Sequence, residues 1–133
     1  MGKSSHSGLL LSLDFIYIPS RNVEEDLMFY TEIPGVTVIF NIKDMGTQVA
    51  MLNLGDGPRL MLAGHLEGNL PIFIYRVENI KKAIVELKIR GWKVGREVEI
   101  PHGPACTFTA AGGQRFAVYQ LTRPEAENFL TQK

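Results

Sequence analysis

The sequence predicts an α+β fold built from two tandem βαβββ modules. Three observations carry this reading. A strand, a helix and three strands follow one another twice; Gly and Pro punctuate the boundaries; and the two passes are offset by a near-constant step. Phe15 and Ile72 stand 57 residues apart, Gly35 and Gly91 stand 56 apart, and so do Leu60 and Phe116.

In the first module, residues 13–18 are apolar, aromatic and β-branched, the composition of a strand. Asn22 with Glu25 three places on is a capping-box signature. Val23, Leu27 and Tyr30 then recur at helical spacing until Pro34-Gly35 ends the helix. Strands are predicted over residues 36–42, 47–54 and 58–62, the last two joined by the turn Gly55-Asp56-Gly57. The second module opens with a strand over 72–77, and Ile80, Ala83, Ile84 and Leu87 mark a helix face that Gly91 closes. Strands over 92–100, 106–109 and 115–121 complete it, with Gly112-Gly113 in the last hairpin. Neither module can bury both faces of its own sheet, so the two must pair, within the chain or across a dimer. The expected organisation is a tail over 1–8, one domain over 9–122 (modules 9–66 and 67–122) and a C-terminal tail over 123–133.

A chain of 133 residues suits one domain. Fourteen Lys and Arg balance fourteen Asp and Glu, which excludes a nucleic-acid module working through a basic footprint and gives no support to anionic-membrane binding. A content of 45% apolar and 21% charged residues is globular rather than disordered. Cys106, the single cysteine, provides neither an internal disulfide nor a thiolate zinc site. The longest apolar run, residues 9–18, is broken by Ser12 and Asp14 and is too short to span a membrane. It is also a poor secretory signal, and His6 stands where a myristoylation motif needs Ser or Thr. A cytoplasmic location is expected.

The ordered segments LDFIYIPSRNVEEDLMFYTEIPGV, LGDGPRLML, IFIYRVENIKKAIVELKIRGW and FTAAGGQRFAVYQL resemble the vicinal oxygen chelate superfamily. That superfamily includes glyoxalase I, extradiol dioxygenases, fosfomycin-modifying enzymes and bleomycin resistance proteins. The resemblance covers about residues 9–121 and implies the glyoxalase/bleomycin resistance fold, in which paired modules form an open, rolled, β-barrel-like cavity. It implies a homodimer as well. It also implies a divalent metal held by His, Gln or Glu from the first and last strands of each module. Carried over residue by residue, those positions fall on Phe15, Met61, Ile72 and Ala117. None offers an oxygen or imidazole donor, and a thioether is too soft for these cations. A one-residue slip would turn the side chains to the other sheet face, and Asp14 is the single carboxylate within one place. No metal and no cofactor are expected, and with them goes Lewis-acid chemistry.

Strand alternation names the rest of the cavity wall. Leu13 and Tyr17 share the face of Phe15; Ile74 and Arg76 that of Ile72; Arg115 and Tyr119 that of Ala117; Arg59 that of Met61. Asp14, Ile16 and Ile18 turn away from that face, and Phe73, Tyr75 and Val77 are expected beneath the helices. The candidate ligand-binding residues are therefore Phe15, Tyr17, Met61, Ile72, Ile74, Arg76, Ala117 and Tyr119. His102, in the 101–104 loop, joins them because in this family that loop often borders the cavity mouth. Each has a plainer reading. Phe15, Met61, Ile72 and Ala117 equally suit a packed core; Tyr17 and Tyr119 equally suit a wall with their hydroxyls on backbone; and Arg76, ending its strand, favours a rim. Trp92 reads as packing, His65 as a solvated loop residue near Glu67, Cys106 as a small buried hydrophobe, and His6 as part of the tail.

The expected function is capture of a small apolar or aromatic molecule, such as an antibiotic, oriented by Tyr17, Tyr119 or Arg76. An uncharged or weakly anionic ligand suits this wall best. The alternative is a divergent glyoxalase- or dioxygenase-type enzyme, metal-dependent or using His102 or a tyrosine for acid–base chemistry. A third possibility is a partner protein with a filled barrel.

Overall fold

A computed structural model describes residues 8–44, 46–65, 68 and 70–125, with Asp44 described by its backbone alone. Most of both expected tails (1–7 and 126–133), together with His6 and Glu67, lies outside the described residues. The elements follow the expected order: β1 (Ser12–Pro19), α1 (Val23–Thr31), β2 (Thr37–Asp44), β3 (Thr47–Asn53), β4 (Arg59–Ala63), β5 (Ile72–Val77), α2 (Ile80–Ile89), β6 (Lys93–Ile100), β7 (Gly103–Thr109) and β8 (Arg115–Gln120). They gather into two compact units, residues 14–72 and residues 8–13 with 73–125. Among the described residues no helix is long and apolar enough to cross a membrane.

In the first unit the strands run in the order β2-β3-β4-β1, with β1 parallel to β4 and the other pairs antiparallel. The second unit repeats this as β5-β8-β7-β6, with β5 parallel to β8. The sequence repeat holds at the level of register. Ile16 pairs with Leu60 as Phe73 pairs with Phe116, and Leu52 pairs with Leu60 as Phe108 pairs with Phe116. Even the irregularity recurs: a bulge follows Val38 in β2 and Val94 in β6.

The helix ends follow local chemistry. Asn22 Oδ1 accepts the Glu25 N–H at 3.0 Å, so the Asn half of the expected capping box forms. Asn79 caps α2 in the same way, accepting the Lys82 N–H at 3.1 Å. Gly91, at φ +96°, closes α2 in a Schellman arrangement: its N–H goes to Lys88 and that of Trp92 to Leu87.

Val23 of α1 packs with Ala50, Leu52, Leu60 and Leu62 of the sheet, flanked by Ile16 and Ile18. Ile80, Ala83 and Leu87 of α2 pack with Val77, Cys106, Phe108, Phe116 and Val118. Trp92 packs edge-on against Phe116, ring centroids 4.8 Å apart, so its role is structural. Phe73 corrects the expectation that it sits under a helix: it is 41% exposed. The reason is that α2 packs on β6, β7 and β8, which leaves the start of β5 beyond its edge.

β7 begins at Gly103, three residues earlier than expected, and the link from β6 shrinks to Pro101-His102. Gly103 has φ +152°, and a Cβ there would run into the Gln120 carbonyl oxygen. Both the bend and the close approach require glycine. Gly103→Ala is therefore expected to lower unfolding free energy in urea by about 2 kcal/mol or more. A loss under about 0.5 kcal/mol, within the range of ordinary surface changes, would show that the bend relaxes freely.

Candidate functional site

Alternation gives each sheet a second face, turned away from its helix, and that face is buried too. In the first unit Tyr17, Met61, Met51 and Phe40 stand side by side across β1, β4, β3 and β2. All four are at most 9% exposed. Phe15 lies one step along, paired with Arg59, whose Nη1 donates to Asn53 Oδ1 at 3.3 Å. In the second unit Arg76 pairs with Tyr119, and Tyr119 with Ala105; Ile74 pairs with Ala117, and Ala117 with Thr107. The ring of His102 meets that of Tyr119 edge-on, centroids 6.5 Å apart.

The nine sequence candidates thus fall into two sets. The first unit holds Phe15, Tyr17 and Met61, with Ile72 as its last residue; the second holds Ile74, Arg76, His102, Ala117 and Tyr119. Eight are buried and Arg76 is half-buried. Sequence reasoning missed Phe40 and Met51. Alternation along β3 marks Met51, but the bulge after Val38 hides the parity of Phe40.

Two placements differ from expectation. His102 sits in a two-residue turn rather than the expected four-residue loop, at 4% exposure. Its carbonyl accepts the N–H groups of Thr122 and Arg123, each at 3.0 Å. The Arg123 side chain clamps the same turn, reaching Pro101 O at 2.9 Å and Ile100 O at 2.8 Å. Arg76 is not a solvated rim residue either. Its Nε is shut off from solvent with no hydrogen-bond partner.

Burial pushes the Tyr17 phenol well above its ordinary range, so it stays neutral and is a poor base. Burial, and after it the Glu97 carboxylate, push the Cys106 thiol up, so the thiolate a nucleophile needs is disfavoured.

The metal that the resemblance implies does not fit these residues. At its four positions stand two aliphatic side chains, a phenyl ring and a thioether, all buried. Among the described residues no group of three His, Cys, Asp or Glu side chains comes together. Asp14, one place from Phe15, is turned by strand alternation toward the opposite face.

No protein-family model and no curated protein matches the sequence. Solved structures do match, and they define the class: this is the vicinal oxygen chelate, or glyoxalase-like, fold. Methylmalonyl-CoA epimerase from Mycobacterium tuberculosis superposes with a TM-score of 0.75 at 14% identity, over 92% of this chain and 96% of that one. A hypothetical protein from Bacillus halodurans C-125 gives 0.72 at 17% identity, over 84% and 95%. A Streptomyces coelicolor methylmalonyl-CoA epimerase variant, in complex with 2-nitronate-propionyl-CoA, gives 0.70 at 15% identity, over 86% and 99%. At these identities the likeness is one of fold.

The buried phenol of Tyr17 yields a test with a definite sign. An ordinary phenol ionises near 10.0, and the folded value lies above that. The unfolded chain therefore ionises first, and stability held below that pH falls as pH rises beyond it, by up to about 1.4 kcal/mol per pH unit. Tyr17→Phe should flatten the alkaline fall in melting temperature above about pH 10. An unchanged profile would mean that Tyr17 titrates as a solvated phenol.

Proposed function

We propose that the protein captures a small molecule with an apolar or aromatic body and one carboxylate or carbonyl acceptor. The observation that carries this reading is Arg76. A guanidinium N–H held out of water with nothing to donate to is destabilising by about 1–3 kcal/mol, more for a charged group. An acceptor brought by a ligand would relieve it, and the planar fork of arginine is matched to a carboxylate. Tyr119 stands directly beside Arg76 in the sheet, with His102 against its ring and Ile74 and Ala117 one step along. This is the pattern of a binding surface: mostly apolar, with few orienting polar groups. In the first unit Phe15, Tyr17 and Met61 supply further apolar wall.

The bound 2-nitronate-propionyl-CoA of the Streptomyces coelicolor epimerase supports a small-molecule occupant for this fold. Capture rather than turnover is favoured because Tyr17 and Cys106 are both pushed away from their ionised forms, and because the four metal positions carry no donor suited to these cations. Sequestration of an antibiotic is one form such capture takes. A cytoplasmic homodimer with no nucleic-acid partner is the setting this reading carries.

The test is a thermal-shift and calorimetry panel of aromatic carboxylates, their neutral amides, and antibiotics. At least one compound bearing an acceptor is expected to stabilise the wild type, and Arg76→Met should abolish its binding. The free Arg76→Met variant should be as stable as the wild type or more so, by about 1 kcal/mol, because a buried Nε–H with no acceptor is replaced by an apolar side chain. Loss of stability by about 2 kcal/mol or more would place Arg76 in a structural role and overturn the reading. So would a panel in which nothing binds.

A further inference from the structure

Helix α1 has two faces of different character. Val23, Leu27 and Tyr30 turn inward and pack with the sheet of the first unit. On the outside, Glu25, Met28, Phe29 and Glu32 follow at i, i+3, i+4 and i+7, one continuous stripe. Met28 and Phe29, in its middle, are 65% and 67% exposed. With Asn22, Glu24, Glu25 and Glu32 they line a groove of about 450 Å³. Exposed apolar side chains standing singly are ordinary, whereas a contiguous pair rimmed by charge of one sign marks a contact surface.

The charge selects what fits. α1 and its caps carry Glu24, Glu25, Asp26 and Glu32 and no basic residue. Glu24 is held by Lys43 at 3.3 Å, and Asp26 accepts the Ser20 hydroxyl. Among the described residues Glu25 and Glu32 make no ion pair. Glu32 is doubly unmatched: it caps the C-terminal end of α1, where the helix dipole is itself negative, and the last turn holds no base. A cation brought from outside satisfies both. An anionic bilayer, by contrast, would meet a row of carboxylates.

Length selects the form. Glu25 and Glu32 are seven residues apart, about 10 Å along the helix axis. A partner helix spans that distance with two bases seven residues apart and sets apolar side chains between them. An extended peptide repeats its inward side chains only every ~7 Å, so it cannot bring both bases and an apolar pair to the same stretch.

We propose that the outer face of α1 docks a basic amphipathic helix of another protein, its apolar side chains on Met28 and Phe29 and its Lys or Arg residues on Glu25 and Glu32. One helix pair buries less than the roughly 800 Å² a side of a standard interface, so the complex is transient and weakens as salt rises.

The probe is a labelled, amidated, alanine-based peptide of about sixteen residues, long enough to hold a helix, with two adjacent leucines midway between lysines seven residues apart. One control scrambles it so that leucines and lysines fall on opposite sides; a second carries glutamates for lysines. Fluorescence polarisation should show wild-type protein binding the lysine peptide at least about tenfold more tightly than either control. Met28→Ser/Phe29→Ser and Glu32→Lys should each weaken that binding roughly tenfold, and the wild-type dissociation constant should rise at about 0.5 M salt. All three positions are exposed, and circular dichroism checks that the variants fold. Equal binding of the scrambled peptide, or variants that bind as wild type does, would overturn the proposal. So would adsorption to phosphatidylserine vesicles that the serine variant loses, which makes the face a membrane contact. A lower molar mass of the serine variant by light scattering would assign the face to a second copy and overturn it as well.

Discussion

The parallel pairing of each unit's first strand with its last is the constraint from which the rest follows. Parallel neighbours cannot be joined by a tight turn, so the chain must leave β1, cross through α1, and run a three-strand meander before β4 can lie alongside it. The crossover puts a helix on one face of the sheet, and that face takes Leu52, Leu60 and Leu62 as its core. It also sets residues from the two ends of a unit shoulder to shoulder: Tyr17 beside Met61, Arg76 beside Tyr119. In each unit topology makes the first and last strands neighbours. The four positions that the resemblance assigns to a metal lie on these strands, and here they carry Phe15, Met61, Ile72 and Ala117.

Much of this was legible in the sequence, for an identifiable reason. Repeat offsets and strand alternation are properties of backbone geometry, so the 56–57 residue step reappears in the registers, and Ile16, Ile18, Tyr75 and Val77 turn to the helices as expected. What was not legible depends on three-dimensional coverage. Phe73 has the right parity, but α2 does not extend over it. The turn at His102 is short because Gly103 admits a backbone approach that no sequence periodicity reports. The bulge after Val38 shifts the facing of Phe40, and bulges carry no reliable one-residue signal. Arg76 was misread for a related reason. Its place near a strand end suggested water, while its surroundings exclude water from Nε.

Arg76 contrasts with the four positions that the resemblance assigns to a metal. Phe15, Met61, Ile72 and Ala117 are apolar and buried, and such residues pack without hydrogen bonds. Arg76 is a different matter, because its Nε–H is shut off from water with no acceptor among the described residues. Natural proteins tolerate local instability of this kind mainly where a ligand relieves it.

The formal charge of zero hides a division between the two halves. Modules built on one repeat would, if identical on their surfaces, repel one another wherever charged faces met. Here the interior keeps the repeat position by position, with Leu52 answering Phe108, Leu60 answering Phe116 and asparagine caps at Asn22 and Asn79, while α1 is acidic and α2 mainly basic. Interior positions are constrained by register and packing, and outer helix positions only by solubility, so divergence is least resisted there. Opposite signs on the two helices leave both the net charge and the core unchanged, so the repeat diverges in its surface field without cost to its packing.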